Sequence, residues 1–392
     1  MRVRGQFFMN RVDIKELNRQ RVYQLVYQEN QISKPTISAK LKISLPTVSQ
    51  CVNELIERGL VSEKGYFEST GGRKAAIITL NRDIKVSVGV EILKELIHLT
   101  VVDLYGAVIR EKFIQLPFKD SEEYCSHVGR YIIEFVDESQ IDYNMILGVG
   151  IAIQGLVDKK TGKVTFGRIL NANGFDAERI GKYIPFPCEL RHDTERAAAY
   201  TLWHNPKIND ALYVVLNRNL GGAVIINGEV HHGQILPSGL IAHMTLIPNG
   251  RTCYCGKKGC VEAYCSVDSI TRTFNQDLKS FFFDLRRGQP EHVRFWEKYL
   301  AYLAGAIYNY QILMSTEVVI GGLAAEYLTE EDIHKIMDME LQGSNIAETL
   351  PKIWISEYNN TSAGAALIYI KEFLAEFGIT GRYESVKDSP KV

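Results

Sequence analysis

The sequence contains none of the features that mark membrane-spanning or exported proteins. No apolar run approaches the roughly 18–20 residues that a helix needs to cross a bilayer. The N-terminal residues are too polar for the apolar core of a secretory signal. The seven cysteines are an odd number in a chain of 392 residues, which is not the pattern of a disulfide framework. We therefore expect a cytoplasmic protein that has no membrane partner.

Proline is scarce, with 11 residues, and low-complexity segments are missing from the sequence. The 46% of hydrophobic and 23% of charged residues are typical of a folded chain, and the length predicts two or three domains. The net charge of −1 conceals an asymmetry, because residues 1–80 contain 13 Lys and Arg against 7 Asp and Glu, whereas the remainder contains 32 against 39. A basic segment on an acidic body indicates that only this segment binds a polyanion.

Residues 1–82 have the pattern of a winged helix-turn-helix domain. Apolar spacing and cap residues predict three helices, over residues 14–28, 36–41 and 45–58. Ser44 is the expected N-cap of the third helix, and Pro46 lies in its first turn, where a missing N–H costs nothing. Ile14 and Leu17 belong to the apolar stripe of the first helix, and Ile56 belongs to the expected buried face of the third. Two alternating segments predict a β-hairpin after the helices, at residues 60–64 and 74–80.

In a winged helix-turn-helix the third helix enters the major groove, and the tip of the hairpin contacts phosphate or the minor groove. The outward residues of this helix are the candidate base readers: Pro46, Thr47, Ser49, Gln50 and Asn53. Gln and Asn can pair bidentately with adenine. Arg73 and Lys74 lie at the hairpin tip and are the candidate phosphate contacts. The alternative is a domain that contacts only protein, and the hairpin and the local positive charge both disfavour it.

From about residue 83 the pattern changes to strands in hairpins followed by a helix, and this pattern repeats after residue 211. The repeat predicts two similar α/β lobes. We assign residues 83–200 to the first lobe, completed by a C-terminal helix at about 361–376, and residues 201–360 to the second. Residues 381–392 read as a polar tail.

The most specific local pattern is a cluster of one histidine and three cysteines: His243, Cys253, Cys255 and Cys260. These residue types supply the four ligands of a tetrahedral structural zinc site. Such a site has no open position, so the metal would organise the loop and would not attack a substrate. The alternative is a set of unrelated buried thiols, which the clustering of three cysteines within eight residues disfavours.

The same segment carries a family resemblance. Residues 239–243 and 253–264 closely resemble the signature of the ROK family, which groups repressors, open reading frames and sugar kinases. Residues 148–158, 191–199 and 318–323 are similar to further segments of the family. The winged helix-turn-helix places the chain with the NagC/XylR-type regulators. The resemblance implies an α/β body of two actin-like (ribonuclease-H-like) lobes with a ligand cleft between them.

A kinase of this family needs two glycine-containing phosphate loops, because only unobstructed backbone N–H groups can hold the phosphates. Where the kinases have Asp-x-Gly-Gly-Thr, this chain has Glu-Ile-Leu-Lys-Glu at residues 91–95. Residues 217–219 read Asn-Arg-Asn where the kinases have Gly-Thr-Gly. These departures predict that the chain is not an enzyme but a sequence-specific DNA-binding regulator of carbohydrate genes, most simply a repressor. The alternative is a sugar kinase with an appended DNA-binding domain.

The resemblance also implies the residues that bind a sugar or sugar-phosphate effector. Asp193 matches the kinase general base and would here only accept a hydrogen bond. The other candidate ligand contacts are Asn173, Gly174, His192, His243 and Glu262. Leu240 stands where the family commonly has glutamate, which predicts a changed specificity. A cleft that binds nothing is the alternative. Operator DNA and a second copy of the chain, in a homodimer or homotetramer, are the other expected partners.

Overall fold

The computed structural model describes residues 11–68, 74–233, 239–341 and 352–381. The N-terminal head contains three helices and three strands: α1 (Arg11–Glu29), β1 (Gln31–Ile32), α2 (Lys34–Leu41), α3 (Leu45–Glu57), β2 (Val61–Tyr66) and β3 (Ala76–Leu80). The strands form one antiparallel sheet in the order β1-β3-β2. This arrangement confirms the predicted winged helix-turn-helix. The short strand β1 was not predicted.

Two serine caps determine where the second and third helices begin. Ser33 Oγ accepts a hydrogen bond from Thr36 N, and Ser44 Oγ accepts one from Thr47 N, each at 3.3 Å. Both bonds satisfy N–H groups that a helix start leaves without an internal partner. Gly59 follows the third helix with φ +72°, a conformation that favours glycine.

The predicted burial of Ile56 is wrong, and two residues of the apolar stripe of α1 are exposed as well. Ile14 is 46% exposed, Leu17 42% and Ile56 37%. The first turns of α1 extend beyond the apolar part of the core and pair with α3 through charge, since Arg19 Nη1 lies 3.1 Å from Glu54 Oε2. The buried face of α3 includes Cys51 and does not include Ile56.

The first lobe contains strands β4 to β10 and three helices. Its elements are β4 (Val86–Ile92), β5 (Leu96–Val102), β6 (Val108–Gln115), α4 (Glu122–Glu138), β7 (Ile146–Ile153), β8 (Leu156–Val157), β9 (Val164–Phe166), α5 (Glu178–Gly181), β10 (Cys188–His192) and α6 (Asp193–His204). The main sheet has the order β10-β7-β4-β5-β6, in which β4, β7 and β10 are parallel and β4, β5 and β6 are antiparallel.

The second lobe repeats this topology. Its elements are β11 (Ala211–Leu216), β12 (Leu220–Ile226), β13 (Glu229–His231), α7 (Glu262–Cys265), α8 (Val267–Phe274), α9 (Leu278–Arg286), α10 (Pro290–Met314), β14 (Glu317–Gly321), α11 (Glu330–Leu341) and β15 (Ile353–Ile355). The sheet order β15-β14-β11-β12-β13 corresponds strand by strand to that of the first lobe, with the same parallel and antiparallel pairs. The predicted two-lobed body is therefore confirmed.

The C-terminal helix α12 (Thr361–Ala375) returns to the first lobe and packs on β4, β7 and α6. Glycines in the sheet permit this close approach, because a Cβ added at Gly89 would lie 1.8 Å from the carbonyl oxygen of Ser362. None of the helices in the described part of the chain is long and apolar enough to cross a membrane.

Candidate functional site: a metal cluster, an interlobe cavity and a DNA-binding surface

The predicted metal ligands lie together in a loop of the second lobe. One ligand atom from each of His243, Cys253, Cys255 and Cys260 falls within 4.8 Å of all the others. Cys255 Sγ lies 3.8 Å from Cys260 Sγ, and Cys253 Sγ lies 3.7 Å from His243 Nδ1. A tetrahedron with zinc–sulfur bonds of about 2.3 Å has edges of roughly 3.8 Å. The donor set and the spacing therefore fit a closed tetrahedral metal site.

The backbone of this loop holds the cysteines in place without help from a long element. Cys253 N donates to the carbonyl oxygen of Lys257 at 2.9 Å, and Thr245 and Thr252 form isolated bridges with Cys260 and Lys258. At Gly259 (φ +81°) an added Cβ would lie 1.7 Å from the carbonyl oxygen of Ile247. The loop therefore requires glycine at this point.

A cavity lined by residues of both lobes lies beside this loop. His192, Asp193 and His243 line it, as do Gly239 and Leu240. Asp193 begins helix α6, so the end of β10 and the start of α6 bring its carboxylate to the cavity. Three of the predicted ligand contacts are thus brought together.

The charge of Asp193 is partly balanced inside the protein. Its Oδ1 lies 3.2 Å from His192 Nε2 and accepts a hydrogen bond from Thr194 N at 2.8 Å. Burial raises the pKa of the Asp193 carboxyl above its ordinary value, and the neighbouring imidazole opposes this rise. A polar ligand group at this position would replace the solvation that the carboxylate has lost.

His243 belongs to both the metal cluster and the cavity. Its Nδ1 faces Cys253, whereas its Nε2 lies 3.3 Å from the hydroxyl of Tyr254, another cavity residue. Burial lowers the pKa of the imidazole, which favours the neutral form that binds metals. A metal on Nδ1 would therefore fix the ring and hold its Nε2 beside the Tyr254 hydroxyl.

Three other predicted ligand residues do not line the cavity. Asn173 Oδ1 accepts a hydrogen bond from Gly167 N at 2.7 Å, and Gly174 is a turn residue with φ +84°. Glu262 is only 4% exposed and accepts hydrogen bonds from Asn219 Nδ2 at 2.9 Å and Leu220 N at 2.7 Å. Burial raises its pKa to about 7. A direct ligand contact from these residues stays a prediction.

Sequence reasoning missed several polar residues that line the cavity: Gln154, Arg168, Asn217, Asn219 and Tyr254. Arg168 follows β9 in the first lobe, and its Nη1 donates to the carbonyl oxygen of Tyr254 in the second lobe at 2.9 Å. For these residues the sequence offered one signal, the position of Tyr254 between two cysteines. The others could not be found in this way, because the two lobes come together only in the folded protein.

Side-chain amides occupy two backbone N–H groups of the turn at residues 321–323, which follows β14. Leu323 N donates to Asn217 Oδ1 at 2.8 Å, and Gly322 N donates to Asn359 Oδ1 at 3.2 Å. These backbone N–H groups are therefore not free to bind a phosphate. At residues 91–95, where the kinases have their first phosphate loop, Leu93 N donates to the carbonyl oxygen of Leu96 at 3.0 Å and closes a hairpin turn.

The DNA-binding candidates lie on one side of α3. Pro46, Gln50 and Asn53 are exposed, and Thr47 and Ser49 are half-buried. Gln50 is already engaged, since its Nε2 donates to Glu54 Oε1 at 3.2 Å. Lys74 is exposed in the loop that joins β2 to β3, whereas Arg73 lies outside the described residues.

Comparison with known families matches two regions of the chain. The ROK family matches residues 87–372, and a winged helix-turn-helix DNA-binding family matches residues 16–62. The xylose repressor of Caldicellulosiruptor bescii is 26% identical over 69% of this chain and 69% of its own length. The DNA-binding transcriptional dual regulator NagC of Escherichia coli is 28% identical over 70% of this chain and 69% of its own length.

A solved structure gives the same fold. The crystal structure of a ROK family transcriptional regulator, described as a homolog of the E. coli MLC protein, matches with a TM-score of 0.72 and 21% identity, over 93% of this chain and 97% of that one. The head and the two lobes agree with this comparison. The chain therefore belongs to the ROK family, and it is a DNA-binding transcriptional regulator of that family and not a sugar kinase.

Proposed function

We propose that the chain represses genes of carbohydrate metabolism by binding operator DNA through α3 and the hairpin tip, and that a carbohydrate in the interlobe cavity controls this binding. The observation that carries the proposal is the contrast between the two sides of the body. Asp193 lines the cavity, which we assign to the sugar. In contrast, Asn217 and Asn359 accept hydrogen bonds from the backbone N–H groups of the 321–323 turn, which resembles the nucleotide-facing turn of the kinases. A body of this kind binds a sugar but does not phosphorylate it.

The relatives named above narrow the ligand class, because one is named for xylose. For this chain the effector class is a sugar or sugar phosphate. Leu240 adds an apolar side chain to the cavity, and Arg168 adds a cation at its edge. A buried polar group left without a partner rejects a ligand strongly. The pattern of hydroxyl groups that pair with Asp193, His192 and His243 therefore sets specificity.

The four-ligand cluster holds a structural zinc ion in this proposal. The metal would fix the loop from His243 to Cys260 and would supply no chemistry to the ligand. The chain's own residues shape the cavity. His243 Nε2 lies beside the hydroxyl of Tyr254, another cavity residue, and Glu262 accepts hydrogen bonds from the side chain of Asn219 and the backbone of Leu220.

We also propose that the chain acts in the cytoplasm as a homodimer or homotetramer. One recognition helix reads only a few base pairs, and two heads on paired half-sites multiply the contact. Symmetric assemblies are the common state of oligomeric proteins.

The proposal is tested by selecting the bound sequence from a pool of random duplexes and then screening ligands by thermal shift. A ligand of the folded state raises its apparent stability. We expect one selected duplex with related half-sites and at least one stabilising monosaccharide or sugar phosphate. A chain that selects no sequence, or that hydrolyses ATP when a sugar is added, would contradict the proposal.

A further inference from the structure

The head and the body share one continuous hydrophobic core, which includes the turn of the body between β5 and β6. Leu104 and Tyr105 belong to the turn between β5 and β6, and both are 0% exposed, as is Tyr27 of α1. The Tyr27 hydroxyl donates to the carbonyl oxygen of Leu104 at 3.1 Å, and the Tyr105 hydroxyl donates to the carbonyl oxygen of Tyr27 at 3.1 Å. These reciprocal bonds attach α1 to the turn.

The turn is rigid in itself. Asp103 Oδ1 accepts hydrogen bonds from Tyr105 N at 2.8 Å and from Ala107 N at 2.9 Å, and Asp103 Oδ2 lies 2.9 Å from Arg82 Nη2. The guanidinium of Arg82 also lies 4.8 Å from the centre of the Tyr105 ring. A force on one side of this turn is therefore transmitted to the other side.

The opposite side of the turn accepts a hydrogen bond from helix α6. Trp203 Nε1 donates to the carbonyl oxygen of Tyr105 at 2.7 Å, and Trp203 is only 2% exposed. Gly106 has φ +73°, and an added Cβ there would lie 2.6 Å from Trp203 Nε1. The indole thus lies directly against the backbone of the turn.

Helix α6 extends from this contact to the ligand cavity. Its first residue is Asp193, and Trp203 lies in the last turn of this 12-residue helix, so about 15 Å of helix separates the two. Its middle residues, including Ala197 and Ala198, are buried. Close-packed helices of this kind move as units.

From these contacts we infer that Trp203 is the positioning residue that couples the ligand cavity to the DNA-binding head. A ligand that changes the position of Asp193 moves α6, Trp203 carries this movement to the 103–107 turn, and Tyr27 carries it to α1. Helix α1 packs on α3, where Arg19 pairs with Glu54. The inference rests on the proposed function, because it concerns how the cavity controls DNA binding.

The test uses the full chain and the duplex that it selects from a random pool, so that no effector has to be known. By reciprocity, a cavity that affects DNA binding must itself be affected by DNA. Amide hydrogen exchange is measured with and without the duplex. We expect exchange in both α3 and α6 to slow, by roughly 5-fold or more in α6, which is the lower end of typical coupling.

The variant Trp203→Phe keeps most of the ring volume but removes the donor to Tyr105. We expect the duplex still to slow exchange in its α3, whereas exchange in its α6 becomes independent of DNA. Trp296→Phe is the matched control, because Trp296 is also buried and its Nε1 donates to Asp332 at 2.7 Å within the second lobe. This control should retain the slowing in α6.

If Trp203→Phe does not fold, Tyr27→Phe replaces it, since this change removes the bond to Leu104 on the other side of the turn. The inference is wrong if DNA leaves exchange in α6 of the unmodified chain unchanged, or if it slows α6 equally in the variant. A chain that binds no duplex at all contradicts the proposed function itself, so the two failures are distinguishable.

Discussion

Gln50 and Glu54 lie one helical turn apart on the recognition helix, and the side-chain amide of Gln50 donates to Glu54 Oε1 at 3.2 Å. Lys15 and Arg19 of α1 hold the same carboxylate, at 2.6 and 3.1 Å. The hydrogen bond from Lys15 lowers the pKa of Glu54, so this group only accepts hydrogen bonds at neutral pH. Glu54 therefore fixes the orientation of the Gln50 amide, with its nitrogen directed towards Glu54.

We expect Gln50→Ala to relax specificity by about 1–3 kcal/mol at one base position, because a bidentate contact is lost. Glu54→Gln should relax specificity at the same position, since an amide at residue 54 no longer fixes the orientation of Gln50. Selection from random duplexes measures both effects. Lys74→Ala should instead weaken binding to all sequences and reduce the salt dependence.

The control for the second variant is Glu57→Gln, which makes the same change of charge on an exposed residue of the same helix. If Glu57→Gln relaxes specificity as much as Glu54→Gln does, charge and not amide orientation is responsible. Unchanged specificity in Gln50→Ala would show that Gln50 reads no base.

Removal of one ligand from the metal cluster should release the metal and loosen the second lobe. We expect Cys255→Ala to contain less zinc than the unmodified chain and to unfold at a lower temperature, because an incomplete closed site binds its metal more weakly. Elemental analysis and thermal unfolding measure these effects. Cys125→Ala is the control, as this buried thiol lies in the first lobe outside the cluster. Unmodified protein purified without chelator but free of zinc would overturn the assignment.

The ammonium group of Lys371 should make the free energy of unfolding depend on pH in the alkaline range. Burial, with Arg196 close by, lowers the pKa of its ammonium from 10.5 to about 8. The unfolded chain therefore binds more protons than the folded chain between pH 8 and about 10, so this group destabilises the fold most below pH 8 and progressively less above it.

We accordingly expect Lys371→Met to raise the unfolding temperature at pH 7, and the difference to shrink as the pH rises from 8 towards 10. The variant loses the contact of the ammonium with the Trp203 ring, at 5.8 Å, which contributes about 0.5–1 kcal/mol. This contribution is smaller than the effect of the lowered pKa. A variant that is equally less stable at every pH would show that the ring contact dominates.

Asp193→Asn tests the cavity as the sensor. The substitution keeps the size of the side chain but removes the charge that lies beside His192 and accepts from Thr194. We expect operator affinity without ligand to stay nearly unchanged, whereas the ligand no longer alters it. Fluorescence anisotropy of the labelled duplex measures both quantities, and Asp176→Asn, away from the cavity, serves as the control. A normal ligand response in Asp193→Asn would exclude the cavity as the sensor.

Features that depend on neighbours in sequence could be predicted, and features that depend on packing could not. The cap at Ser44 and the four metal ligands follow from short spacings, so the start of the third helix and the cluster were visible in the sequence. Ile14 and Leu17 continue the apolar pattern of α1, yet both are exposed in the part of the chain that the structure describes. A periodic pattern shows which face of a helix is apolar but not how much of that face is covered.

The cavity illustrates the same limit. Family resemblance implied Glu262 as a ligand contact, which stays a prediction, but it gave no sign that this carboxylate accepts hydrogen bonds from Asn219 and Leu220. Arg168 and Tyr254, which join the two lobes at the cavity, are 86 residues apart, and nothing in the local sequence pairs them. The same holds for Tyr27 and Tyr105, whose contact joins the head to the body.

The central claim is that a carbohydrate in the cavity controls DNA binding by the head. The most direct measurement is the affinity of the full chain for its selected duplex, by fluorescence anisotropy, in the absence and presence of xylose, N-acetylglucosamine and their phosphates. We predict that at least one of these ligands changes the dissociation constant by roughly 5-fold or more, as expected for a typical coupling free energy. A ligand that binds in the cavity and leaves the dissociation constant unchanged would contradict the claim.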